Sequence, residues 1–159
     1  MVTRLRYEAA QFKFENGYHM PVPVMAAKYS EITQLATQYI GMRAMCVVLT
    51  IVGIDEVNGP QVFKIDPAGF SMGYSAIAAG AKEQEAINHL ERLKKKESDS
   101  ELSTDAAIQK AISTLQQVIG TDFKCNELEI GIATVEKPRF KKLSNDEIDH
   151  HLNVIADED

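Results

Sequence analysis

The residues with most capacity for chemistry in this 159-residue sequence are few and scattered. Asp149-His150-His151 sets a carboxylate and two imidazoles side by side, a composition that suits a transition-metal ion. The spacing does not suit one. Adjacent helical residues point about 100° apart, whereas ligands at i and i+4 share a face, so no metal is expected here. His19 and His89 are isolated and read as surface or packing residues. Gly69, Gly73 and Gly80 bring backbone freedom, but no Gly-Lys-Ser/Thr follows them. A phosphate-cradling loop is therefore excluded, and no cofactor is expected. Lys94-Lys95-Lys96 could form a basic patch or assist nuclear import; the simpler reading is a last helical turn that complements the helix dipole and faces water. The two cysteines lie at no metal-ligand spacing, and with no leader sequence they fit a reducing compartment. Cys46, in an apolar run, reads as a small core residue; Cys125 lies in a polar segment.

Whatever these residues do must be supported by a scaffold of one domain, residues 1–159, since a chain of this length suits one core and not two. Hydrophobic residues make up 45% and charged residues 25%, the balance of a soluble globular protein. A net charge of -6 argues against a dedicated nucleic-acid binder, which carries a basic face. The N-terminus is charged and then amphipathic, unlike a secretory signal. The longest apolar stretch, residues 44–54, is short of the roughly 18 residues that suggest a membrane span. A soluble intracellular protein without membrane or nucleic-acid partners is expected.

Hydrophobic spacing organises the chain. Residues 3–15 read as a helix ended by Asn16-Gly17, with glycine in the left-handed position. No strong start signal precedes it, which hints that the chain opens inside an element. Pro21 and Pro23 open a second helix running to about Tyr39, with Met25, Tyr29, Ile32, Ala36 and Tyr39 on one side. Val47-Val48-Leu49-Thr50-Ile51-Val52 is β-branched and nearly continuous, and reads as a strand covered on both faces. The polar turn Asp55-Glu56-Val57-Asn58-Gly59-Pro60, with its Asn-Gly pair, leads to a strand at 61–65, then Asp66-Pro67-Ala68-Gly69 forms a tight turn with Pro at its second position and Gly at its fourth. A third strand covers 70–79 and ends at Gly80.

The second half is mostly helical. Residues 82–96 carry Ala86, Ile87, Leu90 and Leu93 on an inner face, and 97–101 form the one clear polar connection. Ser103 caps a helix whose Ile108, Ala111, Ile112, Leu115 and Ile119 hold helical spacing until Gly120. Residues 127–135 alternate as a strand, 140–143 form another, and Ser144-Asn145-Asp146-Glu147 is a capping box opening a final helix with Ile148, Leu152 and Ile155 inward. Strands in one block and helices in another indicate an α+β fold with antiparallel strands.

The segment Gly59-Pro60-Gln61-Val62-Phe63-Lys64-Ile65-Asp66-Pro67-Ala68-Gly69, followed by Ala78-Ala79-Gly80, Ala86 and Leu90-Glu91, resembles the signature of alpha-type subunits of the proteasome core particle. The flanks agree: Arg6-Tyr7-Glu8-Ala9-Ala10-x-Phe12-Lys13-Phe14-x-x-Gly17-Tyr18 and Met42-Arg43 are similar to the same family. So are Glu127-Leu128-Glu129-Ile130-Gly131 and Glu147-Ile148-Asp149-x-His151-Leu152, which look most like its alpha type-6 branch. The resemblance covers essentially the whole sequence. It implies a four-layer α-β-β-α sandwich shared with N-terminal nucleophile hydrolases, with roughly the first third of a family member, including gate and early strands, not represented.

By resemblance the chain is a structural subunit of a seven-membered outer ring, without catalysis of its own, supporting ubiquitin-dependent protein degradation in cytoplasm and nucleus. Its implied partners are neighbouring alpha subunits, the beta subunits beneath and a regulatory particle. Asp66, Pro67, Gly69 and Gly80 are the residues expected to shape the turns that build it. Active family members use an N-terminal Thr whose own amine is the base. Thr3 lies on a helix, and Gly120-Thr121 reads as a helix-ending glycine with a polar follower. The alternative function is a catalytic N-terminal nucleophile hydrolase, either a beta-type subunit or an amidohydrolase. One departure is local: Met42-Arg43-Ala44-Met45-Cys46 stands where the family has Met-Arg-Pro-x-Gly.

Overall fold

A computed structural model describes residues 1–96 and 102–158 of the chain, so the polar connection expected at 97–101 lies outside the described residues. The element order is two helices, three strands, two helices, two short strands and a helix, which is the α+β order read from the sequence. The chain forms two compact units, Met1–Ser75 and Ala76–Asp159.

In the first unit, α1 (Val2–Asn16) and α2 (Val22–Gln38) accompany an antiparallel sheet of β1 (Leu49–Asp55), β2 (Gly59–Ile65) and β3 (Ser71–Tyr74), in that order. Gly17 ends α1 at φ 81°, where its amide bonds to the carbonyl of Lys13. Pro21 caps α2, and Pro23 sits in the first turn, where its missing N–H costs no intrahelical bond. The core joins Leu5, Val22, Ala26, Tyr29, Ile51 and Ile65, with Met25, Leu49 and Phe63 packed against it. Complete burial of a side chain such as Ile65 contributes about 2 kcal/mol.

Register explains which strand residues are inward. Leu49 pairs with Ile65 and Ile51 with Phe63, so these four share the face turned to α2. The opposite face carries Val52, Val62, Met72 and Tyr74, and Val52 is 59% exposed. The expectation of a first strand covered on both faces is therefore corrected: among the described residues one face packs into the core and the other leaves Val52 exposed. The strand also starts later than expected, leaving Val47 and Val48 outside the ladder, because β2 ends at Ile65 and offers Leu49 as its last partner. On α2, the expected inward Tyr39 is exposed and Thr33 is buried instead. Thr33 is accommodated because its hydroxyl donates to the Tyr29 carbonyl one turn earlier at 2.8 Å.

The second unit holds α3 (Glu83–Lys96), α4 (Thr104–Ile119), a 3-10 turn (Cys125–Glu127), β4 (Gly131–Ile132), β5 (Lys141–Lys142) and α5 (Asn145–Glu158). Ser103 caps α4 by accepting the Ala106 amide at 3.2 Å, and Gly120 closes it at φ 74°. The inward stripe of α4 differs from its apolar spacing: Ile108, Ile112 and Thr114 are buried, whereas Leu115 and Ile119 are exposed. Thr114 is held by bonds to the Lys110 carbonyl and to His89 Nδ1, which satisfies its hydroxyl against α3. The strand expected at 127–135 reduces to two residues. Among the described residues its partner β5 supplies the pairs Gly131 with Lys142 and Ile132 with Lys141, with one more backbone bond from the Leu143 amide to the Ile130 carbonyl at 2.9 Å, and alternation alone does not lengthen a ladder beyond its partner strand.

Candidate functional site

The turn between β2 and β3 is built around one carboxylate. Asp66 Oδ1 accepts the backbone amides of Ala68 and Phe70, each at 2.9 Å. The backbone closes the same loop, with the Gly69 amide on the Asp66 carbonyl at 3.1 Å and the Asp66 amide on the Phe70 carbonyl at 3.0 Å. An Asp side chain is suited to this because it satisfies donors two and four residues ahead that the turn leaves without strand partners. Pro67 supplies a residue with no donor of its own and a preset φ. Gly69 has φ 91°, and its α-carbon lies against α2, where a β-carbon would stand 2.7 Å from the Ser30 carbonyl oxygen.

Gly80 is placed elsewhere, in the second unit, at φ 130°; its carbonyl accepts the Glu83 amide at 3.2 Å as the chain enters α3. The structure thus brings Asp66, Pro67 and Gly69 together in one turn and Gly80 into another.

A second aspartate forms a comparable loop inside the polar turn expected at residues 55–60, although the role of its carboxylate was not singled out there. Asp55 Oδ1 accepts the amides of Val57 and Asn58 at 2.9 and 3.0 Å, and the Asn58 side chain at 3.3 Å. The Asn58 amide, then that of Val57, hold its carboxyl below the usual carboxylate range. The available signal was an Asp at the end of a β-branched run followed by Asn-Gly.

The α5 N-terminus is the most polar construction. Glu147 Oε2 accepts the Ser144 amide at 2.8 Å and its hydroxyl at 3.1 Å, while Ser144 Oγ accepts the Glu147 amide at 3.3 Å. Lys141 bonds the other oxygen, Oε1. Lys141 first, then the Ser144 groups, hold the Glu147 carboxyl at about 2.

The remaining candidates are dispersed. His150 and His151 have ring centroids 5.8 Å apart; His151 is only 8% exposed, with Nδ1 unpartnered among the described residues. Among the described residues, no group of three or more His, Cys, Asp or Glu side chains could hold a metal ion. Thr3 lies in the first turn of α1, and Thr121 is exposed just after the Gly120 that ends α4. Cys46 is corrected: it is exposed, outside the core, and has φ 47°. It lies in irregular backbone ahead of β1, outside the apolar interior that its neighbours in sequence suggested. Among the described residues, no helix is long and apolar enough to cross a membrane.

Comparison with known proteins adds the family context. A family model described as "Proteasome subunit" matches residues 1–133. A probable proteasome subunit alpha type-1 of Schizosaccharomyces pombe is 44% identical over 158 residues, covering 99% of this chain and 64% of that protein. The proteasome subunit alpha type-6 of Caenorhabditis elegans is 37% identical over 158 residues, covering 99% of this chain and 63% of that protein. An archaeal proteasome subunit alpha, from Pyrococcus horikoshii, is 30% identical over 158 residues, covering 99% of this chain and 58% of that protein. The chain therefore spans less than two thirds of the length of each of these relatives.

Proposed function

Because this chain belongs to the proteasome subunit family, we propose that it serves as a non-catalytic structural subunit in the outer ring of the proteasome core particle. The observation that carries this reading is the alignment of 99% of the chain with proteins named proteasome alpha subunits, from yeast to archaea. The family match at residues 1–133 runs through the first unit and into the second, which supports reading both as parts of one alpha-type domain over 1–159.

The mechanism is organisational. Such a subunit contributes extended surfaces to neighbouring alpha subunits and to the beta ring, and the ring restricts substrate access and receives a regulatory particle. Exposed apolar side chains favour a chain that works in an assembly: Val52 and Met72 on one sheet face, Phe14 on α1, Leu115 on α4. Work in ubiquitin-dependent degradation, in cytoplasm and nucleus, belongs to the same reading. Asp66, Pro67 and Gly69 fix the β2–β3 turn on α2, and Gly80 sets the start of α3; their role is to hold shape. Thr3 lies within α1 and Thr121 follows the glycine that ends α4, neither of them a strand setting, whereas an active Thr uses the free amine of its own N-terminus as base.

The test is substitution in the full-length protein within cells. Thr3→Ala and Thr121→Ala should leave peptide hydrolysis by the purified particle unchanged. Loss of one peptidase activity in either variant, with assembly intact, contradicts the non-catalytic reading and favours a catalytic N-terminal nucleophile hydrolase.

A further inference from the structure

We draw no further inference here: the strongest candidate, the exposed apolar face of the β1–β2–β3 sheet formed by Val52, Val62, Met72 and Tyr74, is an unpartnered face, and nothing in the structure shows what covers it.

Discussion

Gly69 rests against the backbone of Ser30, so closely that a β-carbon would stand 2.7 Å from the Ser30 carbonyl oxygen. The turn between β2 and β3 is thereby fixed to α2 by an absence of side chain. Two penalties coincide at this position, since φ is 91° and the neighbour is helix backbone that cannot swing away. Gly69→Ala is expected to destabilise the protein by about 2 to 4 kcal/mol. Denaturant unfolding of both forms checks this, and an unchanged midpoint contradicts the proposed seat.

The Asp66 carboxylate is the second support of that turn. Asp66→Ala leaves the amides of Ala68 and Phe70 without their acceptor and should cost about 1 to 2 kcal/mol. Asp66→Asn keeps an oxygen in the same place and should lose less. Equal losses in the two variants would show that charge, and not the oxygen's position, carries the effect.

The α5 cap gives a pH signature. Glu147 has its carboxyl lowered from 4.5 to about 2 by Lys141 and then Ser144. A lowered folded value means the stabilisation is present above the unfolded value near 4.5 and is lost as pH falls toward 2. Glu147→Gln should flatten the acid limb of the stability curve within that window and leave its neutral limb parallel to the parent. The cap is exposed, so raised salt should weaken it too. An acid limb unchanged by the substitution would contradict this.

Cys46 occupies left-handed backbone at φ 47°, where residues with a β-carbon are strained by about 1 to 2 kcal/mol. Cys46→Gly relieves this, while glycine gives back about 0.5 to 1 kcal/mol through unfolded-chain entropy. The net expectation is a small stabilisation, about 0.5 kcal/mol, read as a higher unfolding midpoint. Destabilisation would mean that the thiol makes a contact worth more than the strain.

The reach of sequence reading differs by element in ways that have physical causes. Local signals carried α1, α2, the Ser103 cap of α4 and the Ser144–Glu147 capping box of α5, because Gly17, Pro21, Ser103 and Ser144 act within a few residues of themselves. Non-local matters were hidden. The exposed face of Val52 and the shortness of β4 depend on which surfaces find partners, and periodicity holds no information about that. The burial of Thr33 and Thr114 was concealed because each satisfies its hydroxyl on a carbonyl four residues back, so a polar residue takes a core position at little cost. The aspartate turn at 66–69 was visible as Pro and Gly in fixed places; its contact with Ser30 required α2 and the sheet to be packed together. The family was legible from the ordered series of motifs, and the match over residues 1–133 shows it.

A ring subunit works inside a large particle. The most direct measurement places a C-terminal tag on the native gene product, purifies it gently and runs a native gel overlaid with a fluorogenic peptide. For a ring subunit the tag is expected to migrate with a very large, peptide-cleaving particle. A tag found only in a small species without associated hydrolysis would contradict the assignment to a proteasome ring.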